Sequence, residues 1–329
     1  MKSIRVSRTG GPEVLEVATM LPPAPGAGEL LVAVEAVGVN FIEIYQRSGG
    51  YPMTLPFTPG SEAAGTVRAV GAGVTALAPG DRVASTNFRG AYAELALVAA
   101  DRATRLPDGV TTRQAAAVML QGMTAHYLSH ATYPLRRGET CLVHAAAGGV
   151  GLLLVQMAKR IGATVIGTAG SPAKLALARQ AGADHTIDYR TQDWVAEVRR
   201  ITQGAGVAVV YDSVGKTTFD KSLDCLARRG MLVLFGQSSG AVPPIDAQIL
   251  NRKGSLYLTR PTLGDYIATA PELDSRANTV LGWVADGSLQ VRIGAEYPLD
   301  RAADAHAALA GRETTGKVVL MVAKDGASR

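Results

Sequence analysis

The chain has 329 residues, 47% hydrophobic and 19% charged, with a formal net charge of +5. That length accommodates two ordinary domains with sizeable cores, and the composition excludes a disordered chain. The basic charge is dispersed without the Lys/Arg block that nucleic acid would call for. The two cysteines have no CxxC spacing and so exclude a disulfide framework. MKSIRVSRTGG has no apolar leader region and no apolar run reaches membrane-spanning length, so a cytoplasmic protein with no membrane partner is expected.

In chain order, short strands come first: 30–40, 63–71, 81–86 and 91–100. Turns such as Pro22-Pro23-Ala24-Pro25, Gly49-Gly50 and Ala78-Pro79-Gly80-Asp81 cut them apart, as in a compact β-rich domain. Thr111 to Gln114 has capping-box spacing, and Ala115–Leu120 continues as a helix. After residue 138 apolar strands at 140–146, 163–169, 185–188, 207–213, 231–236 and 255–259 alternate with helices at 152–161, 172–181 and 219–228. That rhythm predicts a doubly wound parallel sheet covered on both faces, and the fold class is α/β. The tail, with helices near 272–286 and 301–310 and a strand at 317–323, is too small to stand alone. It is expected to return to the N-terminal domain.

The most informative segment is CLVHAAAGGVGLLLVQMAKRIGA, 141–163. A strand runs into Ala146-Ala147-Gly148-Gly149-Val150-Gly151, a GxGxxG fingerprint with Ala first, and a helix begins at once. Gly148 lets backbone approach a pyrophosphate, Gly151 permits close helix–strand packing, and the helix N-terminus offers free N–H groups. NAD sites usually carry an acid about 20 residues beyond the glycines. Here no Asp or Glu occurs between Gly151 and Asp184, and the next strand ends in Gly170-Ser171-Pro172-Ala173-Lys174. A hydroxyl and an ammonium suit the 2′-phosphate of NADPH, although Lys174 alone also reads as a solvated helix residue. Ligands of open α/β sheets sit beyond the carboxyl ends of strands, which nominates Ser213 within Asp212–Gly215, Phe235-Gly236-Gln237-Ser238, and Thr259-Arg260.

HAAAGGVGLLLVQMAK (144–159), GVNFIEIYQRSGGYP (38–52), PGSEAAGTV (59–67), VVYDSVG (209–215) and SLYLTRP (255–261) together resemble the quinone oxidoreductase branch of the medium-chain dehydrogenase/reductase superfamily, the zeta-crystallin-like proteins. The resemblance spans nearly the whole chain. It implies a GroES-like catalytic domain at 1–122 and 262–329 and a Rossmann NADPH-binding domain at 123–261. It also implies homo-oligomers, commonly homodimers or homotetramers, with Rossmann sheets often paired at an edge strand, here SLYLTRP. It places Asn40, Phe41 and Tyr45 beside the nicotinamide and Thr124 and Tyr127 near the cofactor. Gly149 and Val150 would contact the pyrophosphate. Gly170, Ser171, Lys174 and Tyr189 would surround the 2′-phosphate and adenosine, Phe235 to Ser238, Thr259 and Arg260 the nicotinamide side. Arg312 matches a cofactor-phosphate arginine.

The zinc-dependent relatives have Cys where this chain has Asn40 and His where it has Ser61, and their structural-zinc loop has no counterpart, so no metal is expected. Without a Lewis acid, hydride transfer suits an electron-poor conjugated acceptor, which delocalises the incoming charge onto an oxygen. The expected substrate is a quinone, with C=C reduction of enones or alkenals as the alternative. Tyr45 either donates a proton to that oxygen or only shapes the pocket. A different class of reading is a non-catalytic NADPH-binding protein, crystallin-like or RNA-binding. Low aromatic content and dispersed charge speak against the latter.

Overall fold

The computed structural model describes residues 1–323; positions 324–329 of the expected return segment lie outside the described residues. The chain divides into two compact units, one formed by Met1–Leu120 with the chain from Ile267 onward, the other by Gln121–Tyr266.

The first unit opens with β1 (Lys2–Arg5) and β2 (Glu16–Thr19), an antiparallel pair. The long β3 (Glu29–Val39) buries alternate residues at first and every residue from Val37 on. Alternation suits a strand with one covered face, and continuous burial suits one covered on both. A helix absent from the sequence expectation follows, α1 (Phe41–Arg47). Asn40 precedes it, and Glu43, three residues on, accepts a hydrogen bond from the Asn40 backbone N–H at 2.8 Å. Carboxylate capping of this kind starts a helix too short to show an apolar period. Next come β4 (Ala63–Val70), β5 (Arg82–Ser85), β6 (Leu95–Ala99) and β7 (Thr104–Arg105). Thr111 and Gln114 cap each other's backbone N–H groups at 3.0 and 3.1 Å, and α2 runs over Thr112–Tyr127, well beyond the expected end at Leu120.

The second unit alternates strand and helix: β8 (Thr140–Val143), α3 (Gly149–Ile161), β9 (Thr164–Ala169), α4 (Pro172–Gln180), β10 (His185–Asp188), α5 (Trp194–Ile201), β11 (Val207–Asp212), α6 (Phe219–Cys225), β12 (Leu226–Leu234), α7 (Gln248–Arg252), β13 (Tyr257–Thr259) and α8 (Leu263–Tyr266). The strand order is β10-β9-β8-β11-β12-β13, parallel throughout. Numbered within the unit this is 3-2-1-4-5-6, the doubly wound order of dinucleotide-binding domains. Its core holds Leu142, Ile166, Val210 and Leu232, all fully buried. The helix expected over 219–228 stops at Cys225 because β12 has already begun. Arg229 takes a left-handed φ of 59°, and the β11–β12 register slips between Val207 and Val209, so the Arg228-Arg229-Gly230 stretch is a bulge rather than a helix end.

The tail adds α9 (Ala270–Ala285), β14 (Ile293–Pro298), α10 (Ala302–Ala310) and β15 (Lys317–Met321). β15 pairs antiparallel with β3, Val318 opposite Val39 and Met321 opposite Ala36, and parallel with β14. This completes a seven-strand sheet of order β14-β15-β3-β4-β5-β7, with β6 also on β3. A second, separate core contains Val32, Val67, Val83, Val98 and Leu320.

Candidate active site

In the parallel sheet the strand order reverses between β8 and β11, and a doubly wound sheet binds its ligand at the carboxyl ends there. Those ends are tied by a buried polar network. Asp212, at the end of β11, accepts from the Val214 and Gly215 N–H groups at 2.7 and 3.1 Å. Its other oxygen accepts from the Thr218 and Ser222 hydroxyls at 2.7 and 3.0 Å. With its single proton spent on Asp212, Ser222 Oγ accepts from His144 Nε2–H at 3.1 Å. His144 Nδ1 then accepts from the Thr168 hydroxyl at 2.9 Å. Burial pushes the His144 pKa down and keeps the ring neutral, as this proton order requires. The network joins the ends of β8, β9 and β11 directly beneath the glycine turn. His144 is therefore a structural element and not half of a metal pair with Cys141, whose thiol burial pushes up to about 12.

The turn follows at once. Ala145 takes a left-handed φ of 50°, and Gly148 precedes the first turn of α3. A Cβ on Gly151 would lie 2.8 Å from Ala146 Cα and closer still to the Ala145 carbonyl oxygen, so only glycine lets α3 pack against the end of β8. Gly148 is less constrained: a Cβ there would meet one atom, the Ala145 oxygen at 3.2 Å, a tight contact that a shift of a few tenths of an ångström relieves. Its bare backbone is the feature that would let a ligand approach closely. Val150 is half-buried in the first turn. Gln121, which the sequence reading missed, packs its side chain against Gly149, and its Oε1 is buried without a hydrogen-bond partner among the described residues.

Four expected residues meet at the carboxyl end of β9. Ser171 is the N-cap of α4 and accepts from the Lys174 N–H at 3.3 Å; Pro172 takes the first helical position. The Tyr189 hydroxyl lies 2.5 Å from where a Cβ on Gly170 would be, so Gly170 keeps the ring in place. Residues 164–174, β9 with the turn and helix start that follow it, hold no Asp or Glu, and the hydroxyls of Ser171 and Tyr189 with the half-buried Lys174 suit a phosphate on the ribose; Asp188, opposite Ala169 on β10, accepts from the Arg190 N–H at 3.0 Å. A second group gathers at the ends of β11 and β12. Phe235 N–H donates to the Asp212 carbonyl at 2.9 Å and Ser238 N–H to the Ser213 carbonyl at 3.1 Å. Gly236 lies so close to Ser213 that a Cβ would sit 2.6 Å from its oxygen, and Gln237 backs onto Gly215. Thr259 ends β13, with Arg260 next, its guanidinium on the Pro261 carbonyl at 3.2 Å. Thr124 and Tyr127 lie on α2; Tyr127 is 2% exposed and stacks on Tyr266 with centroids 4.2 Å apart. Tyr266 was not anticipated, because nothing in its local sequence signals the stack.

The other expected residues belong to the first unit. Arg312 lies in the turn after α10 with a left-handed φ of 59°. Phe41 and Tyr45 share α1, and the Tyr45 ring is 6.2 Å from Phe41 and 5.3 Å from Tyr51. Asn40 is 5% exposed and fully engaged: Oδ1 accepts from Lys317 Nζ at 2.6 Å, while Nδ2 donates to Glu62 Oε2 at 2.9 Å and to the Gly38 carbonyl at 3.2 Å. The resemblance implies that Asn40 orients the nicotinamide and donates to the substrate oxygen as a catalytic residue with Tyr45; here both of its amide protons are engaged inside the unit, on Glu62 and Gly38. Lys317 also donates to Glu62 Oε2 at 2.6 Å, and Glu62 Oε1 accepts from the Leu120 N–H at 2.6 Å. An amide and an ammonium where the zinc-dependent relatives have a thiolate make a poor site for a divalent cation. Among the described residues no group of three or more His, Cys, Asp or Glu could hold a metal ion.

Glu43 completes this cluster. It is 1% exposed, and burial pushes its pKa up to about 7 against the pull of Lys317. In the unfolded chain a glutamate ionises near pH 4.3, so between that pH and about 7 the folded state holds a proton the unfolded state has lost. Stability conferred by the neutral carboxyl is therefore present in acid and lost as pH rises through 7. Glu43→Gln, neutral throughout, should gain on the wild type as pH rises from 5 to 7.5, with a difference growing by on the order of 1 kcal/mol per pH unit. Urea unfolding of both proteins across that range measures it. A pH-independent difference would refute the assignment.

Two family models match the chain: the alcohol dehydrogenase GroES-like domain over residues 26–108 and the zinc-binding dehydrogenase over 149–273. A quinone oxidoreductase of Pseudomonas aeruginosa is 50% identical, covering 97% of this chain and 99% of its own. The solved structure of Escherichia coli quinone oxidoreductase complexed with NADPH is 45% identical, with a TM-score of 0.96 over 98% of this chain and 100% of that one. A mycobacterial structure complexed with NADPH is 49% identical, with a TM-score of 0.95 over 98% of this chain and 100% of that one. The chain belongs to the quinone oxidoreductase family of the medium-chain dehydrogenase/reductase superfamily.

Proposed function

We propose that this protein reduces quinones with NADPH, by hydride transfer without a metal. The observation that carries the reading is the acid-free β9 and the turn after it, where Gly170 and Ser171 lie with Tyr189 and the Lys174 N–H, in a chain alike over 98% of its length to a quinone oxidoreductase solved with NADPH. NADPH supplies the hydride. Residues 123–261 form the NADPH-binding domain, with residues 1–122 and 262–329 as the catalytic one. The N–H groups at the start of α3 hold the pyrophosphate beside Gly148, Gly149 and Val150. Lys174, and Arg312 by resemblance, balance the 2′-phosphate. Phe235 to Ser238, Thr259 and Arg260 line the nicotinamide side, with Thr124 and Tyr127 near it. On the acceptor side Phe41 and Tyr45 offer aromatic faces to a planar ring, and the Tyr45 hydroxyl is the donor for the developing oxyanion. Lys317 beside Asn40 argues against a divalent ion doing that work.

Turnover by the chelator-treated protein, followed as NADPH absorbance with ortho-quinones, para-quinones and enones, tests the substrate. Quinones should be turned over at least tenfold faster in kcat/KM than enones, a difference of about 1.4 kcal/mol. Faster turnover of enones would replace quinone reduction by C=C reduction. We further propose a cytoplasmic homodimer. No described helix is long and apolar enough to cross a membrane. β13 stands at the edge of the parallel sheet with Tyr257 56% exposed, leaving that edge open to a second copy. Light scattering should give twice the chain mass; a monomer would refute the dimer.

A further inference from the structure

The Lys317 ammonium is 1% exposed and the Glu62 carboxylate 0%, inside the first unit. Both are charged groups that the fold would be cheaper without: a buried ion pair rarely improves on well-packed apolar side chains. The pair does not close on itself. Lys317 divides its donors between Glu62 and Asn40 Oδ1, each at 2.6 Å, and Glu62 takes one Asn40 amide proton at 2.9 Å. The carboxamide is held from both ends and has one orientation available. Asn40 is the residue before α1, and α1 carries Phe41 and Tyr45. At seven residues α1 is too short to hold its own position by helix propensity.

We propose that Lys317 is a positioning residue for the acceptor side: with Glu62 it locks the Asn40 carboxamide, and through it the start of α1, so that Phe41 and Tyr45 face the acceptor in one arrangement. The inference rests on the placement of Tyr45 at the acceptor given above. Lys317 itself touches neither acceptor nor cofactor.

The same cluster makes the arrangement pH-dependent. Glu43 accepts from the Asn40 backbone N–H, and its other oxygen is buried without a hydrogen-bond partner among the described residues. The charged and titratable groups around it are Lys317 from β15, Glu62 from the segment before β4, Tyr92, and Arg47 on α1 itself. Tyr92 is bonded to His306 of α10 at 2.9 Å, a ring that burial keeps neutral. When Glu43 loses its proton, two buried carboxylates compete for the one ammonium of Lys317. Its share in Asn40 weakens, and α1 loosens.

The test is a pair of variants, Lys317→Met and Lys317→Met with Glu62→Gln, alongside Glu43→Gln. Lys317→Met should lower kcat for quinone by roughly a hundredfold, the cost of a small displacement at a reacting centre. NADPH affinity by fluorescence titration should stay within about threefold of wild type, an effect below one factor of ten in binding. The double variant leaves no unpaired buried carboxylate at position 62, so its Tm should recover while kcat stays low, because the amide nitrogen introduced by Glu62→Gln faces Asn40 where Oε2 accepted, and the carboxamide loses the orientation that Lys317 fixed. The wild-type kcat–pH profile should fall in a step near pH 7, and Glu43→Gln should lose that step. Wild-type kcat in Lys317→Met, or recovery of kcat together with Tm in the double variant, would overturn the proposal. If the single variant does not fold, the double variant decides alone. Hydrogen exchange of the amides of residues 41–47 needs no acceptor: it should quicken in the double variant by tenfold or more, and unchanged exchange counts against the lock. Absence of turnover in wild type would count against quinone reduction, not against that exchange result.

Discussion

Gly151→Ala is expected to weaken NADPH binding by on the order of a hundredfold or more and to lower the thermal midpoint of the protein. The added Cβ would lie 2.8 Å from Ala146 Cα and 2.9 Å from the Ala146 carbonyl carbon, and closer to the Ala145 oxygen. All three are backbone atoms that no rotamer change moves aside, so α3 must shift away from the end of β8. Overpacking of this kind costs about 1–3 kcal/mol in stability. The shift also misaligns the N–H groups proposed to hold the pyrophosphate, whose charge-assisted bonds would be worth about 1.5–3 kcal/mol each. Gly148→Ala is the informative partner. Its Cβ meets only the Ala145 oxygen at 3.2 Å, so the midpoint should barely move while affinity still falls, because the methyl occupies the approach of the ligand. Fluorescence titration with NADPH and thermal unfolding of both variants measure the split. Equal loss of stability in the two, or wild-type affinity in either, would contradict this account of the turn.

Lys174→Ala combined with Arg312→Ala should raise the NADPH Kd by well over tenfold while leaving the NADH Kd within about threefold. One charge-assisted contact to the 2′-phosphate is worth about 1.5–3 kcal/mol, and 1.4 kcal/mol is a factor of ten. The two replacements need to be made singly as well, since their grounds differ. Lys174 stands in the first turn of α4, its backbone N–H on the Ser171 hydroxyl oxygen at 3.3 Å. Arg312 rests on family resemblance and lies in the first unit, after α10. Competition titrations with both cofactors separate the contributions. Equal weakening of NADH and NADPH would show that these charges do not read the 2′-phosphate.

The parallel sheet was legible because β8, β9 and β11 are apolar and buried on both faces, and this rhythm also located the more polar, partly exposed β10. HTID, for example, stands at 185–188 as expected, between α4 and α5. What escaped notice follows from the limits of local pattern. α1 is seven residues long and lies in a segment whose residues invite a reading as site chemistry, although Asn40 and Glu43 carry a helix-start spacing. α5 begins at Trp194 behind an Asp193 cap whose carboxylate accepts from the Val195 N–H at 3.1 Å, a signal that was present and passed over. β14 alternates half-buried and exposed residues, so it lacks the apolar run that betrayed the other strands.

At the site, the glycine turn and the acid-free strand end could be read directly, because each requires particular residue types within a short span. The Asn40–Glu62–Lys317 cluster could not: it joins positions 22 and 277 residues apart through β3–β15 pairing. The available hint was a lysine opening the apolar strand KVVLM, where a buried cation demands a carboxylate somewhere else in the chain. Sequence identified Asn40 as special by comparison with a zinc ligand. Its partners show what it does instead.

The most direct test of the central claim is single-turnover stoichiometry with protein stripped of metal by a chelator. One equivalent of NADPH should be consumed per equivalent of para-quinone, yielding hydroquinone, with no gain on adding zinc and with NADH at least tenfold poorer in kcat/KM, about 1.4 kcal/mol of discrimination. Bound NADPH that is never oxidised by a quinone, or activity that disappears with the metal and returns with zinc, would contradict it.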